Sequence, residues 1–367
     1  LLLALTLRFG MWQWEAMSDY FARFQGYPLP FSFAGRELVR GAVCVLVLFP
    51  PAFLLGAFFP LAMDHMGRHG GGRMLGLGVA VNTLGNILGV FVGAYVLLPW
   101  VGGVGGVQIL AAFAILLAMV LGQASGLPGL RLKAGALVAG LAVVTAPAEL
   151  DYGRVASGAN VNFADQRFGP VIDRAESSDG GLTAVHESPG ADGRVFKTLT
   201  TNGKFQGNDS GEMEAQAGFA MVPLRFVTHR DSALVIGYGT GMTANLLRHA
   251  GFTHLDIVDL SRDIVELADR HFPQLNEGVS RADVTRMHIA DGRNFLLLQR
   301  RSYDLITVEL TSIWFAGAAA SYNREFYQLV KSRLGDSGVL QQWVQLHHIT
   351  QRDLLAILAS VRTEFRN

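Results

Sequence analysis

A single cysteine, Cys44, in 367 residues excludes an intrachain disulfide and any zinc site built from cysteine thiolates. The ten histidines show no metal-ligand spacing, so no metal is expected. Charge is also scarce. Only 16% of residues are Asp, Glu, Lys or Arg, against about 25% in an ordinary soluble protein, and the 30 basic and 30 acidic residues cancel. Without a basic block or stripe to neutralise phosphates, nucleic acid is excluded as a partner. No basic start and small-residue cleavage site marks a signal peptide. The chain begins Leu1-Leu2-Leu3 without an initiator Met and stops at Asn367 soon after a predicted helix, so it reads as a fragment of a longer protein.

The few charges are unevenly placed. Residues 1–150 hold 8 Lys/Arg and 5 Asp/Glu, whereas residues 151–367 hold 22 and 25. No charged residue occurs from Gly41 to Met63 or from Met74 to Leu130. A bilayer core needs about 20 apolar residues per helix, so the first run predicts one span and the second two. Residues 1–150 are therefore expected to form a transmembrane helical region, with spans near 41–63, 75–98 and 104–122. The break between the last two falls at Pro99 to Gly106, where Trp100 suits headgroup depth. A weaker apolar stretch, 134–148, either spans, lies in the interface or packs in a core. Arg68, Arg73, Arg131 and Lys133 flank one side of a three-span arrangement, which places everything after Lys133 in the cytoplasm; a spanning 134–148 would place the second half outside instead. Pro50, Pro51 and Pro60 are expected to kink the first span. Gly85, Gly89 and Gly93, spaced by four, offer a small-residue face for helix packing beside Asn82 and Asn86, with a substrate path as the alternative.

The second half has ordinary composition. Residues 151–209 read as a β-rich cap: Thr183 to Ser188 and Arg194 to Thr201 are extended, and Asn202-Gly203 is a tight-turn signal. Residues 210–367 open with a helical pattern over Glu212 to Phe226. A buried strand, Ala233 to Ile236, then runs into Gly237-Tyr238-Gly239-Thr240-Gly241 and a helix over Thr243 to Ala250. A second strand, His254 to Val258, ends in Asp259, where a ribose hydroxyl pair wants a carboxylate. A dinucleotide fingerprint places its third glycine at position 242. Here Met242 stands there and Gly241 comes one place early, a pattern that suits S-adenosylmethionine-type folds better than NAD folds. Further strands are predicted at Met287 to Ala290, ending in Asp291-Gly292, at Tyr303 to Val308, ending in Glu309, and at Val339 to Leu346. Ligands of open α/β sheets bind outside the carboxyl ends of the strands, so Gly237, Asp259, Asp291 and Glu309 are expected to line one crevice. Asp291 either pairs with an adenine amino group or caps the helix at Asn294 to Gln299.

These motifs resemble the spermidine synthase family of aminopropyltransferases, and more closely its membrane-fused bacterial branch. The likeness rests on Asn202-Gly203 to Gln206, Gln216, residues 235–241, Val258-Asp259, Asp291-Gly292, Tyr303-Asp304-Leu305-Ile306, Glu309 and Arg324-Glu325-Phe326-Tyr327, with Val81-Asn82-Thr83-Leu84-Gly85 through Leu97-Leu98-Pro99 in the membrane part. The resemblance implies a multi-domain protein: transmembrane α-helices, a small β cap and an α/β methyltransferase-like Rossmann domain with a seven-stranded sheet, whose final antiparallel pair falls after this fragment. It implies a co-substrate, decarboxylated S-adenosylmethionine or S-adenosylmethionine, a small-molecule amine acceptor, and a possible homodimer through the soluble domain. The implied setting is the bacterial inner membrane, with the lipid bilayer as partner.

By the same resemblance Gln206, Gly237, Gly239, Thr240 and Gly241 bear on the nucleoside or its thioether arm, Asp259 on the ribose, Asp291 and Gly292 on the adenine, and Glu309 on catalysis. Gln216 and Ser312 bear on the acceptor. From the residues themselves, Trp314 and Phe315 either wall the acceptor or belong to the core, and His347 and His348, after the strand Val339 to Leu346, either face the same crevice or have no site role. The family pattern has Asp at Thr240, Tyr at Ala215, His at Met221 and a second Asp at Ser312. These departures remove groups that hold a diamine. An alkylammonium must lose a proton before its nitrogen attacks the carbon beside a sulfonium, and Glu309 is the only acidic residue between Asp304 and Glu325. Methyl transfer from S-adenosylmethionine, or a nucleoside- or polyamine-sensing membrane protein with weak catalysis, are the competing expectations.

Overall fold

The structure, a computed structural model, describes residues 2–25, 32–124, 149–165, 168–178, 181–190, 192–310, 317–346 and 349–365, with Gly135 and Gly140. The chain divides into two compact units, residues 1–167 with 176–178, and residues 168–175 with 179–367. The stretch 134–148, apart from Gly135 and Gly140, lies outside the described residues, as do Arg131 and Lys133.

The first unit is built on three long helices, α1 (Leu2–Ala22), α2 (Phe33–Val92) and α3 (Leu98–Ala124), the last two joined by a π-turn at Gly93–Leu97. Ser32 caps α2 by accepting from the Gly35 amide at 3.0 Å. Val39, Val43 and Val47, one turn apart on α2, turn inward, and the first two pack with Phe21, Ala159 and Phe163. Ala4 meets Ala111 and Ile115 of α3. The backbone keeps helical dihedrals through Pro50, Pro51 and Pro60, contrary to the kinks expected there. The breaks lie instead at Gly71 (φ 62°, ψ −160°) and Gly102 (φ 68°, ψ 178°), where only glycine is unstrained. Phe33–Arg68 and Gly71–Val120 are long and apolar enough to cross a membrane, and their most apolar windows are only 17% and 11% buried, unlike the core helix of a soluble protein. Among the described residues nothing stands within 4 Å of a Cβ placed at Gly85, Gly89 or Gly93, so the small-residue face has no helix against it here.

The second unit contains two sheets. Strands β1 (Val171–Ser177), β2 (Gly181–Pro189), β3 (Val195–Thr201) and β4 (Lys204–Asn208) lie in that order, with β2 to β4 antiparallel. The two-residue turn joining β3 to β4 has Asn202 at φ 52° and Gly203 at φ 73°, the doubly positive pair that matches strand twist. Helix α4 (Met213–Met221) follows, and Pro223 ends it in a single 3-10 turn.

The second sheet is parallel, with strands β5 (Ser232–Ile236), β6 (His254–Asp259), β7 (Thr285–Ile289), β8 (Tyr303–Val308) and β9 (Leu334–Gln342) in spatial order β7-β6-β5-β8-β9. Helices α5 (Met242–His249) and α6 (Arg262–His271) pack on one face around Val235, Leu255 and Ile257; α7 (Gly292–Leu298), α8 (Arg324–Lys331) and α9 (Gln351–Glu364) lie on the other, around Leu234, Val258 and Ile306. Both faces are covered, which is why β5 is buried at every position and reads as an unbroken apolar run. Among the described residues this sheet has five strands. β9 begins five residues before the expected start: a register shift lets Tyr303 pair with Leu334 and Leu305 with Val339, so the Gly335-to-Gly338 segment, turn-like by composition, bulges within the strand.

Candidate functional site

The chain winds β5, β6, β7 in one direction, then crosses to β8 and β9 on the other side of β5, so the topological switch lies between β5 and β8. At that switch Gly237 follows β5 and Glu309 follows β8. The Glu309 amide donates to the Ile236 carbonyl at 2.8 Å and the Gly237 amide to the Val258 carbonyl at 2.9 Å, which extends the ladder to the lip of the crevice. Gly237 has φ 98°, and a Cβ there would stand 2.9 Å from the Glu309 carbonyl oxygen. Glycine is required by both the dihedral and the close approach.

Glu309 is partly buried and its Oε2 accepts from Thr243 Oγ1 at 2.8 Å. Burial pushes its carboxyl up to about 7, against the opposing pull of the Thr243 hydroxyl. Thr243 lies in the first turn of α5, buried, immediately beyond the glycine turn. The sequence reading did not single it out; its only signal is a hydroxyl in the first turn of the helix that follows the turn.

Gly239 (φ 53°) and Gly241 (φ 83°) complete the turn, and Gly241 is the N-cap of α5. Strand β4 passes close: a Cβ at Gly239 would meet the Gln206 carbonyl oxygen at 3.1 Å, and one at Gly207 would meet Thr240 Cγ2 at 2.7 Å. Thr240 is buried and donates through Oγ1 to Gln216 Oε1 at 3.1 Å. The Gln206 backbone, Thr240 and Gln216 thus come together beside the glycine turn, one hydrogen bond joining the two side chains.

Asp259 ends β6 beside that turn. Its Oδ2 accepts from the Tyr238 amide at 2.8 Å and its Oδ1 from the Ser261 amide at 2.9 Å, with the Leu260 amide as a further donor. Burial raises its carboxyl above the ordinary range and these three amides oppose the rise. A carboxylate offers about four acceptor sites. Backbone amides take up part of that capacity.

Asp291 is exposed and caps α7, its Oδ1 accepting from the Asn294 amide at 2.8 Å. Gly292 packs against Ile236: a Cβ there would clash with its Cγ2. Of the acceptor-facing candidates, Ser312, Trp314 and Phe315, with His347 and His348, lie outside the described residues. Among the described residues no group of three or more His, Cys, Asp or Glu could hold a metal ion. Glycine turn, acidic strand end and switch-point carboxylate form a cradle suited to a nucleoside with a reactive centre near Glu309.

Comparison with known proteins finds likenesses over part of the chain. Residues 213–367 match the spermine/spermidine synthase domain family. The polyamine aminopropyltransferase of Nitrosomonas europaea is 33% identical over 148 residues, covering 40% of this chain and 45% of that protein. Putrescine N-methyltransferase 2 of Nicotiana attenuata is 28% identical over 177 residues, covering 46% of each chain. The crystal structure of spermidine synthase from Thermotoga maritima aligns with 18% identity and a TM-score of 0.47, covering 54% of this chain and 65% of that one. The chain spans about half the length of the curated relatives it matches. The likeness to the spermine/spermidine synthase domain family is thus carried by residues 213–367.

Proposed function

We propose that the chain is part of a membrane-anchored aminopropyltransferase that uses decarboxylated S-adenosylmethionine and an amine acceptor and releases methylthioadenosine. The observation that carries the reading is Glu309, the carboxylate at the β5/β8 switch point whose titration is raised to about 7, hydrogen-bonded to Thr243 and next to the glycine turn. In this reading the acceptor nitrogen forms a bond to the propyl carbon beside the sulfonium while that carbon's bond to sulfur breaks and the electron pair stays on sulfur. The ammonium proton passes to a Glu309 oxygen. A carboxylate that titrates near pH 7 is matched to this work, because a large share of it is the base at neutral pH and that base is strong enough to take the proton. Gly237, Gly239 and Gly241 let the backbone approach the nucleoside closely, and Asp259 accepts from the ribose hydroxyls.

Methyl transfer from S-adenosylmethionine is the second reading, favoured by the likeness to a putrescine N-methyltransferase and by the uncharged Thr240 and Gln216 pair, which does not repel the carboxylate that S-adenosylmethionine retains. Two long, poorly covered apolar helices support a membrane location, with the second unit on the cytoplasmic side of a bacterial inner membrane where the co-substrate is made. Membranes carrying the complete protein, incubated with each sulfonium and an amine, decide between the readings. Methylthioadenosine supports aminopropyl transfer, S-adenosylhomocysteine supports methyl transfer, and neither product overturns both.

A further inference from the structure

The glycine turn carries one large side chain, Tyr238, between Gly237 and Gly239. It points into the protein and is only 2% exposed. Its hydroxyl donates to Asp269 Oδ1 of α6 at 2.6 Å, and Asp269 Oδ2 accepts from Ser280 Oγ at 2.6 Å, with Arg281 Nε 3.9 Å away. Its amide, at the other end of the same residue, holds Asp259 Oδ2 at 2.8 Å. The ring lies under the end of the turn: a Cβ at Gly241 would stand 2.7 Å from its Cζ and hydroxyl oxygen and 2.6 Å from Asn276 Cβ. Asn276 is fully buried and adds a second tie, donating through Nδ2 to the carbonyls of Thr240 (3.2 Å) and Ala268 (2.9 Å).

A tyrosine placed here for bulk alone would do as well as phenylalanine, because a buried hydroxyl costs desolvation unless it is paired. This one is paired with a carboxylate that is itself tied to a second hydroxyl. We propose that Tyr238 is a positioning residue for the nucleoside, anchoring the glycine turn to α6 through Asp269 and Ser280 and holding Asp259 in a fixed relation to that turn. Burial and the Asp269 carboxylate raise the phenol well above its ordinary range, so it stays a neutral donor at any working pH. Displacing the turn would unseat Asp259 with it, since one residue makes both contacts. The inference rests on the nucleoside reading of the crevice.

A matched control exists on the same sheet. Tyr303 opens β8, at the opposite end of that strand from Glu309, is fully buried, and donates to the Asp256 carboxylate at 2.8 Å. Tyr238→Phe and Tyr303→Phe each remove one buried phenol-to-carboxylate bond, and only the first touches the turn. In the full 367-residue chain in detergent, with methylthioadenosine as the probe, both variants are expected to melt earlier. Tyr238→Phe alone weakens binding, by about 10-fold, the scale of one hydrogen bond to a charged group. It also speeds amide exchange over residues 237–241. Ser280→Ala, which leaves Tyr238 intact, gives a smaller shift in the same direction and serves if Tyr238→Phe does not fold. Unchanged affinity and exchange in Tyr238→Phe, or equal weakening by Tyr303→Phe, overturns the proposal. If the unaltered protein does not bind methylthioadenosine, the nucleoside reading fails, and exchange over 237–241 still decides whether Tyr238 holds the turn.

Discussion

Glu309 combines two properties that pull against each other. Burial favours its neutral form, and the Thr243 hydroxyl favours the carboxylate, with the balance near pH 7. If the carboxylate is the working form, kcat/KM for amine transfer rises as pH increases through about 7, and Thr243→Val moves that inflection upward because the bond favouring the charge is gone. A pH-rate series on both proteins checks this. Glu309→Gln should cost about 10²- to 10⁴-fold in turnover, the usual contribution of a positioned general base, measured as methylthioadenosine release. The same residue carries a stability signature. Its folded-state value lies above the ordinary 4.5, so the fold binds the proton more tightly than the unfolded chain does. That stabilisation is complete below about 4.5 and is lost as pH rises through about 7. Glu309→Gln is therefore expected to raise the melting temperature more at pH 8 than at pH 5. The position of Glu309 was legible from the sequence because it ends an apolar strand. Thr243 was not, because a threonine at a helix start has no mark that shows which side chain it will reach across the sheet.

At the scale of elements, the crevice depends on turns that only glycine permits. Gly237→Ala forces a side chain to φ 98° with its Cβ 2.9 Å from the Glu309 carbonyl, and should lower stability by about 1–3 kcal/mol as read from a urea midpoint. Helix α9 begins with a full capping box, in which Thr350 Oγ1 accepts from the Asp353 amide at 3.2 Å and Asp353 Oδ2 from the Thr350 amide at 2.8 Å. Thr350→Ala should cost about 1 kcal/mol in the same measurement without altering nucleoside affinity. Strand β5 and its glycine turn could be read directly, since an unbroken apolar run followed by three spaced glycines has few other solutions. Strand β9 could not: its Gly335-Asp336-Ser337-Gly338 segment has turn composition, and only the pairing of Tyr303 with Leu334 on one side and Leu305 with Val339 on the other keeps it in the sheet.

For the whole molecule, the helices of the first unit leave most of their apolar surface uncovered, as Phe53, Leu61, Val81, Val90 and Phe113 show. Surface of that kind needs an apolar medium or a partner. The full chain is expected to sediment with membranes, to resist alkaline carbonate and to be released by detergent; recovery in the soluble fraction would overturn the membrane reading. The prolines of α2 show the limit of local rules. Pro50, Pro51 and Pro60 suggest kinks, yet the dihedrals stay helical and the chain turns at Gly71, where positive φ costs nothing.

What the amino-acid order determined by itself is the set of local choices: long uncharged helices, a tight turn at Asn202-Gly203, buried strands, and a glycine turn followed by an acid at the next strand end. These follow from hydrophobic run length, periodicity and backbone permissiveness, which act over a few residues. The tertiary structure decided what those residues are free to do. It ties Asp259 to the amides of Tyr238 and Ser261, turns Asp291 into a helix cap, pairs Thr240 with Gln216, and lifts Glu309 toward neutrality by burying it beside Thr243. The reason is physical: burial and hydrogen-bond competition depend on groups distant in the chain, and only the folded sheet brings them within reach.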